Sequence, residues 1–195
     1  MPQKVLRRVN ENPAFGLQAV LAASQSESPA AIASPPEDAE KVKETCDSFT
    51  LASFTMDDAW ELGHLLYARL LPFSSEKPTL ISISLANGGQ VVFQCAVGSG
   101  VMPDNETWVQ RKRNSALRWG CSTWFMHCKF EGQEDKFREK YGLSQEQAAG
   151  YAIHGGAVPI RVQGVEGVVA VVVVSGLKQH EDHGVIVETM SKNWQ

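Results

Sequence analysis

The segment QHEDH at 179–183 concentrates side chains that could do chemistry. His180 and His183 are three residues apart, and together with a carboxylate they could supply the ligands of a zinc site. No matched further ligand is recognisable, so we predict no metal site. The favoured interpretation is structural: Asp182 accepts backbone N–H groups in the first turn of a helix, and His183 begins the apolar face of that helix. A role for His183 in a ligand pocket stays open.

A second candidate is the histidine followed by paired glycines, His154-Gly155-Gly156. Paired glycines let backbone N–H groups turn toward a ligand carboxylate or phosphate. The alternative is a tight turn into a strand that begins near Pro159. Glycine pairs are common, and only the family resemblance described below raises these residues to candidates for a pocket wall.

A third candidate is the basic segment WVQRKRNSALR at 108–118, which predicts a helix that carries Trp108, Arg111 and Lys112. Cations beside an aromatic ring could clamp the propionates of a tetrapyrrole or another small dianion. Tryptophan and arginine are also enriched at protein interfaces, where they could form ion pairs between subunits. A solvated helix face is the remaining alternative, and the sequence leaves all three open.

Ser175-Gly176 lies at a predicted junction between strand and helix, which suits a nucleophile, but no complete triad accompanies it. The GxSxG, Walker A, HExxH and GxGxxG patterns are all missing from the sequence. A hydrolase is therefore not supported. An aromatic cluster with the ingredients of a haem pocket, which is more typical of a core or an interface, comprises Trp119, Trp124, Phe125, His127 and Cys128.

Composition limits the classes of protein to which the chain can belong. With 43% hydrophobic and 21% charged residues in 195, it is typical of a single globular domain. A net charge of −4 argues against a general nucleic-acid binder, which usually has a basic face. The longest apolar run, residues 168–174, is too short to span a membrane, and no secretion signal is recognisable. Four cysteines without a CxxC pair indicate reduced thiols, so we expect a cytoplasmic protein.

Two segments predict β-hairpins. Residues 79–97 hold two strand-like runs around an Asn-Gly-Gly turn at 87–89. Residues 158–162 and 167–176 form the second, and the valine run in it predicts a central strand covered on both faces. Hairpins that alternate with helices indicate an α+β domain with a mainly antiparallel sheet rather than a doubly wound parallel one.

Helices are predicted around these hairpins. A capping box at Thr55 predicts a helix through about residue 71, and the last helix is expected from about Glu181. Residues 1–36 differ, because their end, SQSESPAAIASPP, is small, polar and proline-rich. We predict a flexible N-terminal arm or linker over 1–36, which could bind protein partners, and a domain over 37–195.

Several ordered motifs resemble the haem-degrading-domain superfamily, in a branch similar to glycolate-operon (GlcG-like) proteins, to secreted bacterial haem-binding proteins and to the C-terminal domain of certain cobalamin adenosyltransferases. The resemblance covers roughly residues 45–195. The residues that carry it are Asp104-Asn105, Trp108, Arg111-Lys112, Gly155-Gly156, Pro159-Ile160, Ser175-Gly176-Leu177 and Asp182-His183. The sequence departs from the pattern at Ala157, where a glycine is expected, and at Thr123, where a serine is expected.

The resemblance implies a five-stranded antiparallel sheet between helical layers and assembly into homo-oligomers, but no settled reaction. We therefore predict a non-enzymatic, homo-oligomeric binding or interaction module with a pocket that fits a small anion or a tetrapyrrole. The alternative is a haem- or corrinoid-binding or -degrading enzyme or a cofactor carrier, with haem as the candidate cofactor. The predicted pocket residues are Trp108, Arg111, Lys112, His154, Gly155, Gly156, Ser175, Gly176, Asp182 and His183.

Overall fold

The computed structural model describes residues 4–25 and 29–195. The helices in this part are α1 Phe15–Ala23, α2 Ala39–Thr45, α3 Met56–Leu70, α4 Pro103–Trp119, α5 Thr123–Lys129, α6 Glu134–Lys140, α7 Gln145–Ala149 and α8 Gln179–Asn193. The strands are β1 Val5–Leu6, β2 Phe49–Leu51, β3 Thr79–Leu85, β4 Val91–Val97, β5 Ala157–Val162 and β6 Ala170–Ser175.

The strands form one mixed sheet of six in the order β1-β2-β5-β6-β3-β4. The strands from β5 to β4 pair antiparallel, whereas β1 pairs with β2 and β2 with β5 in parallel. The α+β class is confirmed, but the prediction of a five-stranded, mainly antiparallel sheet is wrong in strand number and in this parallel edge. The β-branched and aromatic residues of 48–54 do predict a strand there, and β2 lies within that range. The two-residue strand β1 is too short to show an alternating pattern, and the parallel pairing depends on remote partners.

Both predicted hairpins are confirmed. In the first, β3 and β4 flank Gly88 and Gly89, which adopt positive φ angles of 79° and 68°. The second joins β5 to β6, and β6 lies inside the sheet with every residue buried. The prediction that the valine run forms a central strand is therefore correct.

Helices cover both faces of the sheet. Val172 and Val174 of β6 pack in the main hydrophobic core with residues of α3 and α8. Val171 and Val173, which alternate with them, pack on the opposite face with Val109 of α4. This alternation fixes the side of the sheet toward which each β6 side chain points, including that of the last residue.

The helix predicted from Thr55 to about residue 71 is confirmed as α3, whereas α8 begins earlier than expected and α5 was not predicted. Thr55 and Asp58 form the predicted capping box, since each side chain accepts the backbone N–H of the other residue. The last helix begins at Gln179, ahead of the predicted Glu181. The difference matters because an earlier start brings His180 into the first turn.

The described part of the segment 1–36 contacts the domain at several points. The Gly16 N–H donates to a buried Glu61 carboxylate at 2.6 Å, and Trp124 Nε1 donates to the Pro36 carbonyl at 2.7 Å. Arg69 donates to the carbonyls of residues 30 and 31. The domain boundary after residue 36 and the mobility of the arm stay predictions. Among residues 4–25 and 29–195, no helix is long and apolar enough to cross a membrane.

Candidate functional site

A cleft of about 580 Å³ opens between the N-terminal ends of α4 and α8. Many of the predicted pocket residues line it: Trp108, Lys112, His154, Ser175, Gly176 and Asp182. The structure adds residues that the prediction missed: Asn105, Leu177, Lys178, Gln179 and His180. Arg111, Gly155, Gly156 and His183 lie outside this lining.

The cleft exists because the chain turns sharply between β6 and α8. Gly176 has a φ of 144°, a conformation that residues with a side chain rarely adopt. A Cβ on Gly176 would collide with the carbonyl oxygen of Pro78, so a side chain is also excluded by the backbone. Glycine at this position lets the strand end next to the first turn of the helix.

A buried ion pair forms the inner wall of the cleft. Lys112 Nζ lies 2.8 Å from Asp182 Oδ2 and donates to the Val174 carbonyl at 3.1 Å. The other oxygen of Asp182 accepts the Leu177 N–H at 2.9 Å. Burial raises the pKa of Asp182, while the ammonium and the backbone N–H groups of Leu177 and Gly176 act in the opposite direction. Lys112 was predicted to bind a ligand, but its ammonium group is paired with the Asp182 carboxylate.

The paired glycines pack behind this wall. Gly156 has a φ of 117°, and a Cβ there would lie 2.7 Å from Lys112 Nζ. A Cβ on Gly155 would collide with the Gln179 carbonyl oxygen. The position favours the alternative of a tight turn ahead of β5, in which the glycines let the backbone approach α8. Their binding to a ligand stays a prediction.

Trp108 and His154 form the aromatic side of the cleft. Their rings meet edge to face with centroids 5.0 Å apart. His154 Nδ1 lies 3.5 Å from a Glu134 carboxylate oxygen. Burial lowers the pKa of His154, and Glu134 opposes this shift. Arg111 stacks on the Trp108 ring at 4.5 Å and donates to the Tyr151 carbonyl, so it supports the ring from outside the cleft.

His183 lies in the core rather than in the cleft. Its side chain is fully buried and stacks on Trp124 with ring centroids 6.3 Å apart. In the part of the chain that the structure describes, neither ring nitrogen forms a well-aligned hydrogen bond, although the nearby Cys46 backbone opposes the pKa shift. Burial lowers the pKa of His183 to about 3. The imidazole is therefore neutral at physiological pH.

The structural interpretation of residues 179–183 agrees with these contacts, with one change. Asp182 accepts N–H groups from Gly176 and Leu177, which precede the helix, rather than from its first turn. Within residues 4–25 and 29–195, no group of three or more His, Cys, Asp or Glu side chains could hold a metal ion. His180 lines the cleft. The sequence prediction placed this residue just ahead of the helix, whereas the structure includes it in the first turn of α8.

The lining carries an excess of positive charge. It contains two lysines, Lys112 and Lys178, and one acid, Asp182, which is already paired with Lys112. Lys178 is exposed and forms no ion pair with the described residues. The cleft therefore favours a ligand with negative charge.

Comparisons with known proteins give the chain its family. Residues 54–191 match the model of the family described as "Haem degrading protein HbpS-like". The UPF0303 protein of Streptomyces avermitilis is 40% identical over 143 residues, 73% of this chain and 82% of the relative. The UPF0303 protein YBR137W of Saccharomyces cerevisiae is 36% identical over 156 residues, 80% of this chain and 82% of the relative.

Solved structures agree with the family match. The crystal structure of Ybr137w protein superposes with a TM-score of 0.65 at 37% identity, over 72% of this chain and 78% of that one. The crystal structure of HbpS superposes with a TM-score of 0.51 over 71% of this chain and 89% of that one, and at 16% identity it bears on the fold alone. The family model and the relatives together place this chain in the HbpS-like haem-degrading protein family.

Proposed function

We propose that the protein is a binding module that holds a planar, negatively charged ligand of up to tetrapyrrole size in the cleft between α4 and α8. The observation that carries the proposal is the lining itself: an aromatic wall at Trp108 and more lysine than acid around a volume of about 580 Å³. That volume is in the range of small-molecule sites, which are typically about 300–1,000 Å³.

Haem is the candidate ligand that the family suggests, and the donor set fits it. His154 and His180 both line the cleft, and imidazole is a common axial ligand of haem iron. Lys178 could pair with a propionate, while Trp108 offers a surface for the macrocycle. When bound, haem would supply the iron chemistry, and the chain's own residues would hold and orient it.

Binding is a better proposal than catalysis for this cleft. Its acid, Asp182, is held in a buried ion pair with Lys112 and is not placed to exchange protons with a ligand. The Ser175 hydroxyl forms no hydrogen bond to a histidine in the described part of the chain, so it lacks the base that activates a serine nucleophile.

A haem titration followed at the Soret band tests the proposal. The wild type is expected to bind saturably with a sharpened, shifted band, and His154→Ala or His180→Ala to weaken or shift it. His64→Ala is the matched control, because His64 contacts Trp60 and Phe93 outside the cleft. No saturable binding by the wild type, or equal loss in all three variants, would contradict the proposal.

We also propose that the chain associates with copies of itself through the edge strand β4. Seven residues, VVFQCAV, form this edge without a charge or a proline, the devices that usually protect an exposed strand. Met56 and Trp60 of α3 are both about half exposed. Trp60 contacts His64, which contacts Phe93 of β4, so apolar surface continues from the strand onto the helix.

Light scattering tests the self-association. Val91→Lys puts a charge on the edge strand and is expected to lower the mass toward the 21.3 kDa of one chain. Val165→Lys is the matched control, since Val165 is likewise an exposed valine, in the turn between β5 and β6. A wild type that is already a monomer, or a multimer that tolerates Val91→Lys, would refute the role of β4.

Location and further partners are proposals of the same kind. All four cysteines are free, as expected for a reducing compartment, which supports a cytoplasmic protein. Residues 1–36 remain the proposed contact for protein partners, and neither nucleic acid nor a membrane is proposed as one.

A further inference from the structure

Ser175 lines the cleft, and its hydroxyl has no hydrogen-bond partner among the described residues. Ser175 ends β6 and is 5% exposed. Strand alternation places its side chain on the α4 face with Val171 and Val173, the face on which Trp108 and the cleft lie. Among residues 4–25 and 29–195, nothing forms a hydrogen bond with this hydroxyl. Since the residue is largely buried and its hydroxyl is unpartnered in the cleft lining, this hydroxyl is available to a ligand that enters the cleft.

The first turn of α8 adds unused backbone donors beside this hydroxyl. The helix runs for 15 residues, and its first regular bond is from the Asp182 N–H to the Lys178 carbonyl. The Lys178 N–H is taken by Glu181, but the N–H groups of Gln179 and His180 have no acceptor in the described residues. Both of these residues line the cleft, where the helix dipole favours an anion.

We propose that Ser175 and the first turn of α8 form a subsite for a carboxylate group of the bound ligand, with Lys178 as the nearby cation. This inference rests on the proposed function and makes it specific. A hydroxyl, two N–H groups and one unpaired ammonium match an anion with two oxygens and a single charge. A phosphate dianion would leave one of its charges without a cation, because the second lysine of the lining is paired with Asp182.

The position of Trp108 sets the rest of the ligand. The ring borders the same cleft as Ser175 and lies on α4, across from the first turn of α8. A carboxylate held at α8 would therefore leave the planar part of its molecule against Trp108. The ligand class is thus an aromatic or conjugated carboxylic acid, to which a tetrapyrrole with propionates belongs.

Calorimetric titration with 1-naphthoate and with its neutral isostere 1-naphthamide tests the subsite. The wild type is expected to bind the acid at least about ten-fold more tightly than the amide, as a hydrogen bond to a charged group implies. Ser175→Ala is expected to remove about ten-fold of the affinity for the acid and little of that for the amide. Lys178→Gln, at an exposed position, should act in the same direction and leaves the fold intact.

Ser84→Ala is the matched control for Ser175→Ala. Ser84 is a buried serine on the neighbouring strand β3, its hydroxyl also lacks a partner in the described residues, and it lies outside the cleft lining. The subsite is refuted if acid and amide bind the wild type equally, or if Ser84→Ala weakens acid binding as much as Ser175→Ala. Tighter binding of 1-naphthyl phosphate than of 1-naphthoate would refute the choice of a carboxylate.

Haem and haem dimethyl ester separate this inference from the proposed function. If both bind the wild type equally and 1-naphthoate shows no preference over its amide, the tetrapyrrole site stands and the carboxylate subsite is wrong. If 1-naphthoate binds with the expected preference and haem does not bind, the subsite stands and the tetrapyrrole size is wrong. If neither haem nor 1-naphthoate binds, both proposals are wrong.

Discussion

The buried imidazole of His183 predicts how the stability of the protein depends on pH. Burial lowers the pKa of His183 from 6.5 to about 3, so the unfolded chain binds a proton more readily than the folded one at pH values between these two. Stability must therefore fall as the pH falls below about 6.5, with a limiting slope of about 1.4 kcal/mol per pH unit. Between pH 7 and pH 5 this single group removes about 2 kcal/mol of the free energy of unfolding.

The substitution His183→Leu isolates this contribution. Leucine is close in volume and keeps apolar contact with Trp124, and neither imidazole nitrogen forms a well-aligned hydrogen bond that the change would break in the described residues. Urea unfolding at pH 7, 6 and 5, at one fixed protein concentration, measures the free energy for both proteins. Titrations of other groups occur in both and cancel in the comparison.

The expected result is that the wild type loses about 2 kcal/mol more than His183→Leu between pH 7 and pH 5. His64→Leu, at a histidine outside the core, should keep the wild-type dependence. Equal pH dependence in the wild type and His183→Leu would mean that the imidazole is protonated in the folded state, and the reasoning from burial would be wrong.

Two further predictions concern the walls of the cleft. Lys112→Met or Asp182→Leu alone should destabilise the protein by about 3–5 kcal/mol, because each leaves a buried charge unpaired. The double variant should lose clearly less than the sum of the two single losses, because it leaves no buried charge and only backbone groups lose their partners. Additive losses in urea unfolding would refute this coupling. Gly176→Ala should cost about 3 kcal/mol through backbone strain and collision with the Pro78 carbonyl, against about 1 kcal/mol for Gly164→Ala, which has positive φ but open space. Equal shifts of the two glycine variants in thermal unfolding would show that the collision is relieved.

Local sequence patterns were sufficient for several of the regular elements of this fold. The capping box at Thr55, the Asn-Gly-Gly turn at 87–89 and the valine run of β6 each depend on residues close together in the chain. Because such patterns act through neighbouring residues, they can be recognised without the tertiary structure. The resemblance to the family rested on motifs of the same kind, and the comparisons bear it out.

The parallel pairing at the edge of the sheet was beyond the sequence, although residues 48–54, which contain β2, predict a strand. The strands β1 and β2 of this edge are short, and β2 pairs with β5 more than a hundred residues later. Such strands acquire their conformation from the partner, because a few residues have no periodicity of their own. The number of strands was therefore settled by packing.

The sequence by itself determined the residue types of the candidate site, and the tertiary structure alone decided their roles. The sequence presents Lys112 as a cation available to a ligand. In the fold its ammonium group donates to the carboxylate of Asp182, 70 residues away in the chain, so the two opposite charges are paired in the inner wall of the cleft. His180 and His183 lie one turn apart in α8, yet His180 lines the cleft and His183 is fully buried against Trp124, because the packing of other elements along the helix changes within that turn. Burial and pairing are properties of distances between remote residues, which no local pattern encodes.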